Sequence, residues 1–349
     1  MANLLLQVDQ RVFVFTSARD VDGQLLDVPH DRWVSWSRKK NISVFYCSGK
    51  GWRKIFSIFR EVLTTESRTL WLQSFFDFQF SVLPQIVSLL SGKSVIISPR
   101  GELMAGALSL KSKRKNTFIS IIRPFYFFSR PKLHLTSKEE YDQLPDWLQN
   151  IPSKIFPNYC RKPLSLTDLP TKNLTDTAFT NIVFIARLVP KKGVEIAIDV
   201  MAKLDKKFVL DVYGDFEDDK FKRLIIDKIH SLGLTNRVRL NGFVPFEDCS
   251  ETISKSLALI LPTKGENFGH SIYDCLSVGT PVVISDQTPW RSSMSIKVCD
   301  LTKPIEFVGA IMQIQTLDNL NTRQDALQNA SEYYGKLPPA KKFFAEILS

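Results

Sequence analysis

From Asn181 onward, short apolar runs alternate with stretches whose apolar positions recur every three or four residues. Asn181–Ile185, Phe208–Tyr213, Val238–Leu240, Leu257–Leu261 and Val282–Ser285 read as strands. Val194–Leu204, Asp219–Leu232, Cys249–Ser256 and Ser271–Val278 have helical spacing, with Gly233 and Gly279-Thr280-Pro281 as stops. This alternation predicts an α/β, doubly wound, mostly parallel sheet, whose ligands bind outside the carboxyl ends of the strands. Arg187, Gly214 and Glu266 each follow a predicted strand and so fall on that one edge.

Before residue 160 the pattern is less regular. Val12–Phe15, Ile42–Tyr46, Thr69–Leu72, Ser94–Ile97 and Leu133–Leu135 read as strands. Pro84–Leu90 reads as a short helix with proline in its first turn, and Ser137 opens another. The 349 residues suffice for two domains. The expected division is 1–158, a polar linker at 159–179, a second domain at 180–335, and a helix at 336–349. That last segment carries Phe343, Phe344, Ile347 and Leu348 and is expected to pack back toward the first domain.

A hydrophobic content of 44% and a charged content of 23% fit a globular chain. No apolar run approaches the ~18 residues that span a bilayer. The five cysteines are scattered without a C-x-x-C pair, as for reduced thiols in a cytoplasmic protein, and the four histidines lack metal-ligand spacing. Residues 1–160 hold 22 Lys and Arg against 13 Asp and Glu, whereas the remainder holds 24 against 23. The first half alone therefore faces an acidic partner. Without a recognition motif beside the charge, nucleic acid ranks last.

Glu266 and Asp274 flank a loop, Asn267-Phe268-Gly269-His270, and the helix that Ser271 begins. Acids on a strand–loop–helix unit suit a hydroxyl-rich ligand, and a helix start offers N–H groups to an anion. Arg187 and Lys192 flank the turn after Ile185 and can hold a diphosphate. Taken alone they read as solvated surface charges; the second motif is what favours a site.

Three stretches carry a resemblance: FIARLVPKKGVEIAI, PTKGENFGHSIYDCLSVGTPVVISDQTPW and SPRGELMAGALSLKSKRK. Together they resemble family 4 (group 1) glycosyltransferases, the retaining, nucleotide-sugar-dependent enzymes of the GT-B fold, and most of all the bacterial enzymes of surface-polysaccharide synthesis. The resemblance implies two Rossmann-like domains facing a central cleft. It places Arg187 and Lys192 on the donor diphosphate and Glu266 near the transferred sugar. Asp274 stands at the ribose position, where the family usually has Glu. The backbone of Asn267, Phe268, Gly269, His270 and Ser271, with Gly214, would line the donor site. Arg100 stands where many relatives carry a donor-facing His. An arginine cannot serve as a base at neutral pH, but a transfer in which the leaving phosphate takes the acceptor proton needs none. The plainer reading of Arg100 is an ion pair with Glu102 or another acid.

The resemblance further implies no metal and no cofactor beyond the donor. Asp215-Phe216-Glu217-Asp218-Asp219 superficially resembles a metal-binding D-x-D, yet it sits at a helix start, where carboxylates suit the dipole. The implied partners are a nucleotide sugar and a glycan or polyprenyl-linked acceptor, in O-antigen, capsule, exopolysaccharide or lipopolysaccharide synthesis. The basic and aromatic segment 111–132 is a candidate for an anionic membrane surface, which would make the protein peripheral at the inner face of the plasma membrane. Its plainer reading is a basic turn followed by a core helix.

Relatives begin with a strand and a glycine-rich loop. Here Ala2–Leu6 resembles the helix that follows them, and no glycine precedes Gly23. The first domain is expected to lack that central strand, by truncation or loss, leaving open edges on two neighbours. The competing functions are a non-catalytic nucleotide-sugar or glycan binding protein derived from such an enzyme, and an epimerase or phosphorylase on the same fold.

Overall fold

The computed structural model describes residues 10–19, 23–36, 39–104, 108, 112–168, 180–317 and 319–348. Most of the segment assigned to a linker, 169–179, lies outside them, as do residues 1–9. The chain divides into two compact units, Met1–Tyr159 with Leu337–Ser349, and Cys160–Lys336.

In the first unit, β1 (Val12–Ser17), β2 (Trp33–Trp36) and β3 (Lys39–Cys47) form a sheet in the order β1-β3-β2. β1 runs parallel and β2 antiparallel to β3. β4 (Thr69–Leu72), β5 (Ser94–Ile97), β6 (Lys132–Leu135) and β7 (Ser153–Ile155) form a second, parallel sheet. Among the described residues, β1 pairs only with β3 and β4 only with β5. Helices α1 (Trp52–Thr64), α2 (Leu83–Ser91) and α3 (Ser112–Ser129) accompany these sheets. α1 has no counterpart among the expected elements. Its apolar residues Trp52, Ile55, Phe56, Phe59, Val62 and Leu63 recur every three or four positions and form one stripe.

The core of this unit gathers Leu72, Phe75, Val95, Ile97, Leu133 and Leu135 with Ile122 and Tyr126 of α3. The C-terminal helix Ala340–Leu348 adds a second cluster, in which Phe343 and Ile347 pack on Ile96 and Phe156. Between the two lies a buried polar chain. Trp71 Nε1 donates to Ser98 Oγ at 2.7 Å, and Ser98 Oγ lies 2.8 Å from His134 Nδ1. His134 Nε2 lies 3.3 Å from the Phe156 carbonyl oxygen. Burial, aided by the Arg100 charge, pushes His134 down to about 3, so it is a neutral imidazole.

The second unit holds a six-stranded parallel sheet in the order β10-β9-β8-β11-β12-β13. Its strands are β8 (Asn181–Ile185), β9 (Val209–Tyr213), β10 (Val238–Leu240), β11 (Ala258–Leu261), β12 (Val282–Ser285) and β13 (Ile296–Cys299). β11 and β12 are buried at every residue, because helices cover both faces and continuous apolar runs are then favoured. The helices are α4 (Val194–Lys203), α5 (Asp219–Ser231), α6 (Phe246–Ser254), α7 (His270–Leu276), α8 (Pro304–Thr316) and α9 (Asn319–Gly335). α4 packs beside α5 and α8, and α7 beside α9. Arg323 of α9 is 1% exposed and donates to Ser254 O at 2.7 Å and Asn319 Oδ1 at 2.8 Å. The strand order reverses between β8 and β11. In a doubly wound sheet that is where the loops part and a ligand enters.

Candidate functional site

The loops after β8 and β11 meet at this reversal. Two glycines make the approach feasible. A Cβ on Gly193 (φ +76°) would lie 2.0 Å from the Pro262 carbonyl oxygen, and one on Gly214 (φ +139°) would lie 1.9 Å from that of Ala186. The Gly214 N–H donates to Gly242 O at 2.8 Å, so this glycine closes the gap between strand ends and does not offer its amide outward. Lys264 N donates to Lys191 O at 2.8 Å and Thr263 Oγ1 to the same oxygen at 3.2 Å, which joins the two loops.

Across that junction Lys192 Nζ forms an ion pair with Glu266 Oε1. Their side chains are only 17% and 12% exposed, so solvent screens the pair weakly. The Glu266 amide donates to Gln287 O at 3.0 Å, which fixes the loop that carries it. Arg187 sits on the same edge but points outward. Its side chain is 69% exposed and its Nη1 pairs with Glu217 Oε1. Lys192 and Glu266 are therefore brought together, while Arg187 has a separate, solvated partner.

Gly269 (φ +82°) begins α7, and no side chain caps that helix start. Phe268 is buried in an aromatic group with His270, Tyr273, Trp290 and Tyr333, and its carbonyl accepts from Trp290 Nε1 at 2.6 Å. Phe268 thus anchors the loop, and His270 stands exposed at the helix start beside half-buried Ser271 and Asn267. One turn on, Asp274 Oδ1 accepts from Arg161 Nε at 3.1 Å. Tyr273 donates to the Arg161 carbonyl at 2.7 Å, which holds that arginine in place. Neither Arg161 nor Trp290 follows from sequence spacing as a support of this loop.

The acidic run 215–219 is taken up locally. Glu217 pairs with Arg187, Asp218 caps α5 by accepting from Lys220 N at 2.9 Å, and Asp215 accepts from Phe243 N at 3.1 Å. Among the described residues, no group of three His, Cys, Asp or Glu side chains is placed to hold a metal ion.

In the first unit Arg100 follows β5 with φ +54°. Its guanidinium donates to Asn158 Oδ1 at 2.5 Å and Gln73 Oε1 at 2.9 Å. Glu102 is not its partner: that carboxylate accepts from Phe75 N at 2.6 Å and Ser74 Oγ at 3.0 Å. Glu140 is buried and accepts from Gly101 N at 2.6 Å and Thr136 N at 2.7 Å. Burial pulls the Arg100 guanidinium below its usual value, and the Glu140 charge opposes that shift.

Residues 167–328 match the family model of Glycosyl transferases group 1. That match lies within the second unit and covers most of it. Over 169 residues the chain is 30% identical to alpha-D-kanosaminyltransferase of Streptomyces kanamyceticus, covering 46% of this chain and 41% of that protein. Over 108 residues it is 30% identical to an uncharacterized glycosyltransferase of Methanocaldococcus jannaschii, covering 30% of this chain and 26% of that one. It therefore spans well under half the length of these curated relatives. Among solved structures, Anabaena HepE in complex with UDP and glucose superposes with a TM-score of 0.69 at 16% identity, covering 89% of this chain and 86% of that one. The fold is GT-B, built of two parallel-sheet Rossmann-like domains.

Proposed function

We propose that this chain is a retaining, metal-independent glycosyltransferase that moves a hexosyl group from a nucleoside-diphosphate sugar to a glycan or lipid-linked acceptor in surface-polysaccharide synthesis. The Lys192–Glu266 pair at the strand-order reversal carries the reading. A diphosphate arriving there competes for Lys192 and frees the Glu266 carboxylate for sugar hydroxyls. Arg187, held only by a solvated ion pair, can turn to the same diphosphate. The family match over 167–328 and the UDP and glucose bound by HepE support a nucleotide-sugar donor.

In this reading the bond from the anomeric carbon to the β-phosphate oxygen breaks while the acceptor oxygen bonds to that carbon on the same face. The acceptor proton passes to the leaving phosphate, whose charge Lys192 and Arg187 offset. Arg100 remains a cation and orients an anionic group. Asp274 reaches the ribose hydroxyls once Arg161 yields, and the start of α7 with Gly269, His270 and Ser271 lies beside the donor. The basic first unit takes the acceptor. The protein works in the cytoplasm at the inner face of the plasma membrane, and segment 111–132 is one candidate for contact with it.

The test is transfer from, or hydrolysis of, a panel of nucleotide sugars by the purified chain, with Lys192→Ala and Glu266→Gln as variants. Turnover that both variants abolish supports the reading. Donor binding by calorimetry without turnover would favour the non-catalytic binding protein instead.

A further inference from the structure

The outer face of α1 has no part in the donor chemistry. α1 buries Ile58 and Glu61, and the Glu61 carboxylate accepts from Trp33 Nε1 at 2.7 Å and Arg60 Nε at 2.6 Å. Turned outward are Trp52, Phe56, Phe59 and Leu63, exposed by 83%, 65%, 39% and 37%. At 3.6 residues per turn these four fall within a sector of about 60°. A helix of a globular domain ordinarily presents charge to water, whereas this one presents a row of large apolar side chains.

The surroundings of that row are basic. Arg53 and Arg60 are both exposed and border it on one side. Glu61 is the helix's only acid, and it is buried. Beside the helix start, a cleft of about 740 Å3 is lined by Trp52, Arg53 and Phe56 together with Arg19 and Lys50. The Arg19 Nε is buried there without a hydrogen-bond partner. Asp31, which also lines the cleft, is turned to Ser48, accepting from its amide at 3.0 Å and from its hydroxyl.

We propose that this face of α1 docks the protein on a bilayer rich in anionic phospholipid, with Trp52, Phe56, Phe59 and Leu63 entering the headgroup–acyl boundary and Lys50 and Arg53 pairing with lipid phosphates. An interfacial helix has this composition: aromatic and leucine side chains on one side, cations at the border, no exposed acid. Arginines at the edge of the stripe can reach the phosphates while their stems lie along apolar surface. The excess of 22 Lys and Arg over 13 Asp and Glu in residues 1–160 is complementary to an anionic leaflet. A second protein fits less well. The four side chains offer on the order of 500 Å2, short of the roughly 800 Å2 per partner that a stable interface buries. A bilayer needs no matching shape. α3 is the weaker candidate, because Ile122 and Tyr126 face its core and, among its described large apolar side chains, only Ile121 and Phe128 stand well out. The proposal extends the lipid-linked acceptor reading, but vesicle binding needs neither donor nor acceptor, so its failure would leave sugar transfer standing.

The full chain is sedimented with vesicles of phosphatidylcholine alone and of phosphatidylcholine mixed with phosphatidylglycerol. The expected result is binding at least about tenfold tighter to the anionic vesicles, weakened by salt. Phe56→Ser with Phe59→Ser, and separately Lys50→Glu with Arg53→Glu, should each reduce it about tenfold or more. Lys206→Glu, an exposed lysine of the second unit, should leave it near wild type. Quenching of tryptophan fluorescence by brominated lipid, present in the wild type and reduced in Trp52→Phe, reads the same contact in a variant that keeps an aromatic ring. Equal partitioning to both vesicles, undiminished binding in both double variants, or no quenching in the wild type would overturn the proposal. So would a dimer that Phe56→Ser with Phe59→Ser dissolves, because a second copy would then cover the face.

Discussion

Each unit places a cation at the carboxyl edge of its parallel sheet, but the two are held differently. In the second unit Lys192 meets Glu266, and both are largely withdrawn from water. In the first, Arg100 is held by two side-chain amides, Asn158 and Gln73. An ion pair can exchange partners when an anionic ligand arrives, and under the proposed function that ligand is the donor diphosphate. Amide partners fix the direction of Arg100 and neutralise none of its charge, which the Glu140 carboxylate offsets only from a distance. Under the proposed function one edge rearranges on binding and the other presents a fixed charge.

The largest effects should fall on the exchangeable pair. Glu266→Gln and Lys192→Ala are each expected to lower kcat/KM for transfer by about 10²–10³, the size of a lost transition-state contact. Arg100→Gln should cost about tenfold and mainly through the acceptor KM, as a charge of uniform binding would. Steady-state kinetics with varied donor and acceptor separate the two, and an Arg100 variant as inactive as Lys192→Ala would break the comparison.

Next come the buried polar groups that hold each unit rigid. Arg323→Met leaves the Ser254 carbonyl and Asn319 without their donor and should destabilise the second unit by about 3 kcal/mol in urea unfolding. In the first unit the corresponding group is His134. Its folded value of about 3 lies below the unfolded value near 6.5. Its contribution is therefore complete above pH 6.5 and is lost as pH falls toward 3, by at most about 1.4 kcal/mol per pH unit. Unfolding midpoints of wild type and His134→Gln between pH 7 and pH 4 should converge as the pH drops. The smallest effect is expected at Arg187. Arg187→Ala removes only a solvated pair and should change stability by less than about 0.5 kcal/mol, while transfer falls about tenfold. A stability loss of several kcal/mol there would mean that Arg187 is structural.

The strands of the second unit were legible because β8, β11 and β12 are buried on both faces, which forces unbroken apolar runs such as Val282–Ser285. The spacing of Trp52, Ile55, Phe56, Phe59, Val62 and Leu63 is helical, so α1 was legible although no helix was expected there; what spacing cannot tell is that Trp52, Phe56, Phe59 and Leu63 of that stripe face water. β13 was missed because Ile296–Cys299 is short and half-buried at its middle residues, and β2 because Trp33–Trp36 is equally short and buried at none of its residues.

Arg187, Lys192, Gly214 and Glu266 were determined as edge residues by sequence alone, since each follows an apolar run that can only be a buried strand. Which of them touch was decided by tertiary structure. Lys192 and Glu266 are 74 positions apart and meet only because the sheet order reverses between β8 and β11. Arg161 reaches Asp274 across 113 positions, and Trp290 holds the Phe268 loop from beyond β12. Local pattern records which side of an element is buried. Pairing depends on which elements the sheet makes neighbours, and that follows from the packing of the whole unit.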